Sequence, residues 1–179
     1  MKQLIYICLF CLITASCATN KKVSLEKDNQ KMHRLVVKKD NNSINYYSES
    51  FIEEKEKCNK QENYGEIMNN TETDLTTESK AKIEKDGGML KVLENNLSKE
   101  NFDKLNQRIS FSIGVVLDQH TTIYGYQLNI YNKNIKNIVL SDTEVKNLFN
   151  YVESLKFTFI NKYSGNFKIA SFINYNMKK

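Results

Sequence analysis

Few side chains in this sequence combine the types and spacing that catalysis needs. His120 follows Asp118 by two positions, and His33 is the only other histidine. An imidazole beside a carboxylate can transfer protons or bind a metal, but a metal site needs more ligands than one short turn supplies. We therefore interpret Asp118–His120 as a polar turn and predict no metal site. An enzyme with an unrecognised site around these two residues is an open alternative.

The four cysteines offer little further chemistry. Cys8 and Cys11 lie in an apolar N-terminal stretch, and Cys17 follows it, so Cys58 is the thiol that we expect to remain free. One thiol cannot form an intramolecular disulfide. Cys58 lies among glutamates and lysines with no histidine nearby, which does not favour a catalytic nucleophile. Motifs for phosphate binding, serine hydrolysis or zinc peptidase chemistry are missing, so we predict neither catalysis nor a cofactor.

The N-terminus has the features of an export signal. One positive charge at Lys2 precedes an apolar run from Leu4 to Ile13, and small residues lead to Cys17. This order is typical of a secretory signal peptide, and the run is too short to span a bilayer as a mature helix. The segment resembles the lipobox of bacterial lipoproteins, although Thr14 stands where that motif usually has leucine. The resemblance implies that residues 1–16 are removed and that Cys17 carries the lipid.

An ordinary signal peptide cut near the same place is the alternative to lipidation. If Cys17 is acylated, several chains on one residue give a stable anchor, since each buried methylene contributes about 0.8 kcal/mol. We therefore predict a lipoprotein of the bacterial cell envelope. Lys21 and Lys22 follow the cysteine. In some lipoproteins an acidic run at this place resembles a signal for export to the cell surface. Because lysines stand here instead of acidic residues, we expect an outer-membrane position facing the periplasm.

The net charge adds a prediction about partners. The chain carries +5, and removing Lys2 with the signal peptide leaves +4. Lysines and acidic residues are interleaved rather than clustered. This pattern is typical of a solvated surface near anionic lipids and not of a nucleic-acid groove. We predict contact with the membrane through the lipid anchor and no nucleic-acid partner.

The composition divides the chain after the signal peptide into two parts. Residues 17–86 are polar with sparse apolar positions, which predicts a tether with weak helices. From Gly87 the apolar pattern becomes regular, so residues 87–179 are predicted to form an α+β domain. A serine followed three positions later by a glutamate, at Ser141 and Glu144, predicts a capped helix. The other predicted elements are a helix at Leu90–Leu97 and strands at Ile109–Leu117, Ile123–Tyr131 and Phe167–Tyr175.

The order of these elements predicts the fold class. Helix, strand, strand, helix and strand give a small antiparallel three-stranded sheet with two helices packed on one face. The polar residues before Gly87 would precede this domain as a flexible or partly helical N-terminal region.

Residues 86–176 resemble the C-terminal domain of TonB-type proteins. The double glycine at Gly87 and Gly88 precedes the first helix, and a turn led by Asp118 joins the first two strands. The family typically has Tyr-Pro after the first helix, where this chain has Leu97 and Ser98, and this chain contains no proline. The resemblance implies the α+β fold, not energy transduction. The whole chain resembles lipoproteins of Bacteroidetes-type bacteria that carry a divergent module of this kind.

The predicted activity is non-enzymatic interaction with another envelope protein. TonB-like domains are understood to bind an extended segment at a sheet edge, and an open three-stranded sheet offers such an edge. The closing strand is the candidate edge. A lipoprotein immunity factor against an exported toxin is a further alternative. The predicted partner-binding residues are Phe167, Ile169, Phe172, Ile173 and Tyr175.

Overall fold

The computed structural model describes residues 34–105, 110–131 and 138–176, without the side chains of Tyr175 and Asn176. The predicted signal peptide, Cys17 and His33 lie outside these residues. Within the described ranges, every helix is too short or too polar to cross a bilayer.

The described residues form seven strands and six helices. The strands are β1 (Leu35–Lys39), β2 (Ser43–Ser48), β3 (Glu72–Leu75), β4 (Ser110–Asp118), β5 (Ile123–Tyr131), β6 (Phe157–Asn161) and β7 (Lys168–Asn176). The helices are α1 (Glu49–Asn59), α2 (Tyr64–Asn70), α3 (Thr77–Lys85), α4 (Gly88–Asn96), α5 (Lys99–Leu105) and α6 (Asp142–Glu153).

The predicted three-stranded sheet with two helices is wrong. The main sheet has five antiparallel strands in the order β1-β2-β5-β4-β7, and a second sheet pairs β3 with β6. The polar region before Gly87, predicted to be flexible or partly helical, supplies two strands of the main sheet. Ile44 and Tyr46 of β2 are buried and alternate with half-buried Asn45 and Tyr47. That alternation is enough to extend the sheet beyond β5.

One face of the main sheet carries the larger core. The period-two pattern of β4 directs Phe111, Ile113 and Val115 to this face, where they pack with buried residues of α4 and α6. The predicted capping box at the start of α6 is confirmed: the Ser141 hydroxyl accepts the Glu144 N–H, and the Glu144 carboxylate accepts the Ser141 N–H.

Glu144 also joins α6 to the segment between α4 and α5. Its Oε1 accepts the Ser98 N–H at 2.7 Å and an Asn101 Nδ2–H at 3.0 Å. Burial alone would raise the pKa of this carboxyl. The hydrogen bonds from Ser98, Ser141 and Asn101 outweigh burial and lower the pKa to about 2. A residue that the sequence indicated as a helix cap is therefore also a buried link between three elements.

Helix α1 covers part of the opposite face of the sheet. Phe51 and Cys58 pack there against Val116 and Ala170. Gly125 of β5 permits this contact, because a Cβ at that position would lie 2.4 Å from the Phe51 nitrogen. The glycine lets helix and strand backbones approach closely.

Candidate functional site

Strand β7 is one of the two edges of the main sheet. It pairs with β4 along its whole length, from Asp118↔Lys168 to Ser110↔Asn176, without a register shift. The other side of β7 faces no strand of that sheet. The predicted partner-binding residues all lie in or next to this edge strand.

The structure separates these residues by burial. Phe167 and Ile169 are buried with Ile67, so they belong to a core cluster. Ile173 is half-buried against the main core. Phe172 is 41 % exposed. Tyr175 has a described backbone only.

The ring of Phe172 lies on the α1 side of the sheet. A Cβ built at Gly114 would lie 2.6 Å from this ring, so the ring covers the glycine. The Lys55 ammonium lies 5.6 Å from the centroid of the same ring, within the range of a cation–π contact. Phe172 thus presents an apolar surface next to a positive charge.

The side chain of Gln61 shows which backbone groups of β7 point away from β4. Its amide donates to the Lys168 carbonyl at 2.7 Å, and its carbonyl accepts the Lys168 N–H at 2.8 Å. The Gln61 amide thus bonds to β7 as a neighbouring peptide group would. In antiparallel pairing, every second residue directs both backbone groups to the same side. Ala170, Phe172 and Asn174 therefore also direct their N–H and C=O groups outward.

The first half of this edge is covered by the segment after β2. Besides Gln61, the Tyr64 hydroxyl lies at β7 and receives a hydrogen bond from the Ala170 N–H. The Lys168 ammonium pairs with the Glu54 carboxylate of α1 at 2.8 Å and lies 3.7 Å from the centroid of the Tyr124 ring. These contacts fix the start of β7 to α1, to α2 and to the segment between them, and Gln61 and Tyr64 bond to both outward groups of Lys168 and to the Ala170 N–H.

The second half of the edge is open with respect to the described residues. Within the described ranges, no hydrogen bond reaches the outward N–H and C=O of Phe172 or Asn174. These groups, with the exposed Phe172 ring, form what we call the open edge, Phe172–Asn176. Gln61 and Tyr64 are not predictable as edge contacts, because both lie in a polar stretch of the sequence that lacks an apolar period.

The alternative site around His120 makes a turn between β4 and β5. The Asp118 Oδ1 accepts the His120 N–H at 2.8 Å and the Thr122 N–H at 3.0 Å. Burial would raise the pKa of Asp118, but hydrogen bonds from Thr122, His120 and the Tyr124 hydroxyl lower it. The carboxylate is occupied with holding the turn, and the imidazole is exposed.

Cys58 has the environment of a core residue. Its side chain is 1 % exposed, and burial raises the pKa of the thiol to about 11. The thiol therefore stays protonated at neutral pH, where a nucleophile requires the thiolate. Within the described part of the chain, no three histidine, cysteine or acidic side chains lie close enough together to hold a metal ion.

Comparisons with known proteins do not assign a function to this chain. No family model, no curated protein and no solved structure matches the chain. The resemblance to TonB-type domains therefore stays a prediction, and the open edge of β7 carries the functional argument.

Proposed function

We propose that this protein is a lipid-anchored lipoprotein of the bacterial cell envelope that binds an extended segment of another envelope protein along β7. The observation that carries the proposal is that the outward backbone groups of Phe172 and Asn174 pair with no residue that the structure describes. Strand addition satisfies such groups with main-chain hydrogen bonds, and neighbouring side chains supply specificity. The open edge would accept a short strand, since Gln61 and Tyr64 already occupy the earlier outward positions.

The side chains beside the open edge define the chemistry of the segment. Phe172 offers apolar area, and Lys55 places a positive charge beside its ring. A segment with an apolar residue facing Phe172 and an acidic residue near Lys55 would match both the apolar ring and the positive charge. The partner is therefore a protein segment with mixed apolar and acidic character, bound without a catalytic step.

Attachment to the membrane is the second part of the proposal. The apolar run, the small residues and Cys17 support export and lipidation. Replacing Cys17 with Ser should abolish labelling by a radioactive or clickable fatty acid and should release the protein from the membrane fraction. Lipid labelling of the Cys17→Ser variant would contradict this part without affecting the edge.

The edge is tested by cross-linking and pull-down from the native envelope with the full chain as bait. Asn174→Pro removes one outward N–H, and its side chain is exposed, so the pairing with β4 should survive. Asn174→Ala is the matched control, because it changes the same side chain and keeps the N–H. We expect the proline variant to lose the partner and the alanine variant to retain it. A folded Asn174→Pro protein that captures the same partner at wild-type yield contradicts the strand-addition mechanism.

A further inference from the structure

A cleft of about 420 Å³ lies at a different place from the β7 edge. It lies between the β4–β5 turn, the end of α6 and the start of β6. Its volume is within the range of small-molecule sites, roughly 300–1,000 Å³. No residue of β7 lines it, so its occupant need not be the segment proposed to bind the edge.

Tyr126 supplies a polar group to this cleft. Its side chain is 1 % exposed, and its ring stacks on Phe149 with 5.4 Å between the centroids. The hydroxyl makes no hydrogen bond to any described residue. The equally buried Tyr46 differs, because its hydroxyl accepts the Leu140 N–H at 2.8 Å. In the described residues the buried side-chain atoms that lack a partner are Gln127 Oε1 and Asn129 Oδ1, so the Tyr126 hydroxyl is itself open to solvent. Because Tyr126 lines the cleft, this hydroxyl is available to a ligand there.

The remaining lining is apolar on the inside and charged at the rim. Leu155 and Phe157 are buried and, with Ile123, provide apolar walls. Glu153 and Lys156 are exposed at the rim, and neither forms an ion pair with another residue in the described ranges. One negative and one positive charge, each without an ion-pair partner among the described residues, therefore lie three positions apart in the sequence. This combination matches a ligand that carries one positive charge, one negative charge and an apolar group.

We propose that the cleft binds a small zwitterion of the α-amino-acid type with an apolar side chain, either a short peptide or a free amino acid. The apolar side chain packs on Leu155 and Phe157. Glu153 receives the ammonium group, and Lys156 receives the carboxylate. The Tyr126 hydroxyl donates to a carbonyl or carboxylate oxygen. The volume exceeds what one amino acid fills, so a short peptide is the better fit.

Calorimetric titration of the purified full chain with three probes tests this proposal. The probes are leucyl-leucine, leucine and N-acetyl-leucinamide, which has the same side chain and neither charge. We expect saturable binding of the dipeptide, weaker binding of leucine, and binding of the neutral probe at least tenfold weaker than the dipeptide. Tighter binding of leucine than of the dipeptide would support the zwitterion and identify a free amino acid as its source. Failure of all three to saturate, or equal binding of the neutral probe, overturns the proposal.

Two tyrosine variants separate binding from folding. Tyr126→Phe removes a hydroxyl that has no partner among the described residues, so thermal stability should be unchanged or higher while dipeptide affinity falls about three- to tenfold. Tyr46→Phe is the matched control, because it removes a hydroxyl that accepts a backbone hydrogen bond. It should lower thermal stability and leave the affinity of the folded protein unchanged. Wild-type affinity in Tyr126→Phe overturns the assignment of the hydroxyl to the ligand.

The rim charges give an independent check. Glu153→Gln should weaken the binding of leucyl-leucine and leave N-acetyl-leucyl-leucine, which lacks the ammonium, unaffected. Lys156→Gln should weaken both, since both probes keep the carboxylate. Unchanged dipeptide affinity in both variants overturns the charge assignment.

Discussion

The two edges of the main sheet are protected in different ways. Strand β1 is five residues long and ends in Lys38 and Lys39. Strand β7 is nine residues long, and its second half, the open edge Phe172–Asn176, contains no charged residue. Charged side chains and short length are common protections of an edge strand, and hydrogen bonding by a covering segment is another. The edge at β1 uses the first kind, and the start of β7 uses the second.

This contrast indicates that β7, and not β1, is the edge available to another chain. The open edge has neither lysines nor a covering segment among the described residues. An unprotected edge of this kind invites association with other chains, and retaining it carries a risk of aggregation. The binding of an extended segment that we propose would require this edge to stay open. The two sides of β7, and likewise the two edges, should therefore respond differently to substitution.

The largest effect is expected from proline on the inward side of β7. Ile169 alternates with the outward positions, so its N–H bonds to β4, and its side chain is 2 % exposed. Ile169→Pro should lower the free energy of unfolding by about 3 kcal/mol or more. Asn174→Pro should change it by less than about 1 kcal/mol, because only an outward N–H is lost. Urea denaturation followed by circular dichroism measures both. Equal losses would show that the assigned register is wrong.

A destabilising change far from β7 tests whether binding depends on the edge itself. Glu144→Gln removes a charge that accepts hydrogen bonds from Ser98, Ser141 and Asn101. We expect a loss of about 2 to 3 kcal/mol in the free energy of unfolding. Partner capture by the folded protein should not change. Loss of capture at a temperature where the variant is folded would mean that the edge is not an independent site.

The same carboxylate predicts the direction of the acid response. The folded-state pKa of Glu144 is about 2, below its ordinary value of 4.5. A group with a lowered folded-state pKa stabilises the protein fully above its unfolded-state value and loses that contribution as pH falls through the folded-state value. Stability should therefore fall between about pH 4.5 and pH 2. Glu144→Gln should show a flatter dependence over this range in urea denaturation at each pH.

Gln61 and Tyr64 together provide a way to lengthen the open edge. Gln61→Ala leaves the outward N–H and C=O of Lys168 without their side-chain partner, at an expected cost of about 1 to 2 kcal/mol. The Lys168 amide should then exchange faster with solvent. Because the Tyr64 hydroxyl still bonds to the Ala170 N–H between Lys168 and the open edge, Tyr64→Phe is added to free that group as well.

In the double variant the captured partner should be protected against hydrogen exchange over a longer stretch than with the wild type. Gln61→Glu is the matched control for the first change, since it keeps the acceptor for the N–H and loses the donor to the carbonyl. A partner footprint that is unchanged in the double variant would place the binding elsewhere.

The sequence carried enough information for some of these elements and not for others. The strand at Ile123–Tyr131 and the capping box at Ser141 were predictable, because period-two patterns and capping chemistry act over a few residues. Strand β2 was missed, since its alternation is short and mixes tyrosine with asparagine. Gly125 inside a strand was a usable signal of close backbone approach, and it points to α1 on the second face.

The residues that define the candidate site depend on long-range geometry. The Gln61 amide bonds to a strand 107 positions away along the chain. No local pattern indicates which glutamine imitates a peptide group. The same holds for Tyr126, because no local pattern indicates that its side chain lines a cleft. Edge position was predictable from the order of the strands, whereas the division of β7 into a covered half and an open half was not.

The smallest effect on stability is expected at β1, and it tests the comparison of the edges directly. Val37 is 44 % exposed, and Lys38 lies 5.7 Å from the centroid of the Tyr47 ring. The double change Lys38→Thr and Lys39→Thr removes the charges but keeps strand propensity. The free energy of unfolding should therefore change by less than about 0.5 kcal/mol. Self-association should rise with concentration in sedimentation velocity, because the edge is then uncharged. A variant that stays monomeric would show that short length alone protects β1, and charge would no longer explain why β7 differs.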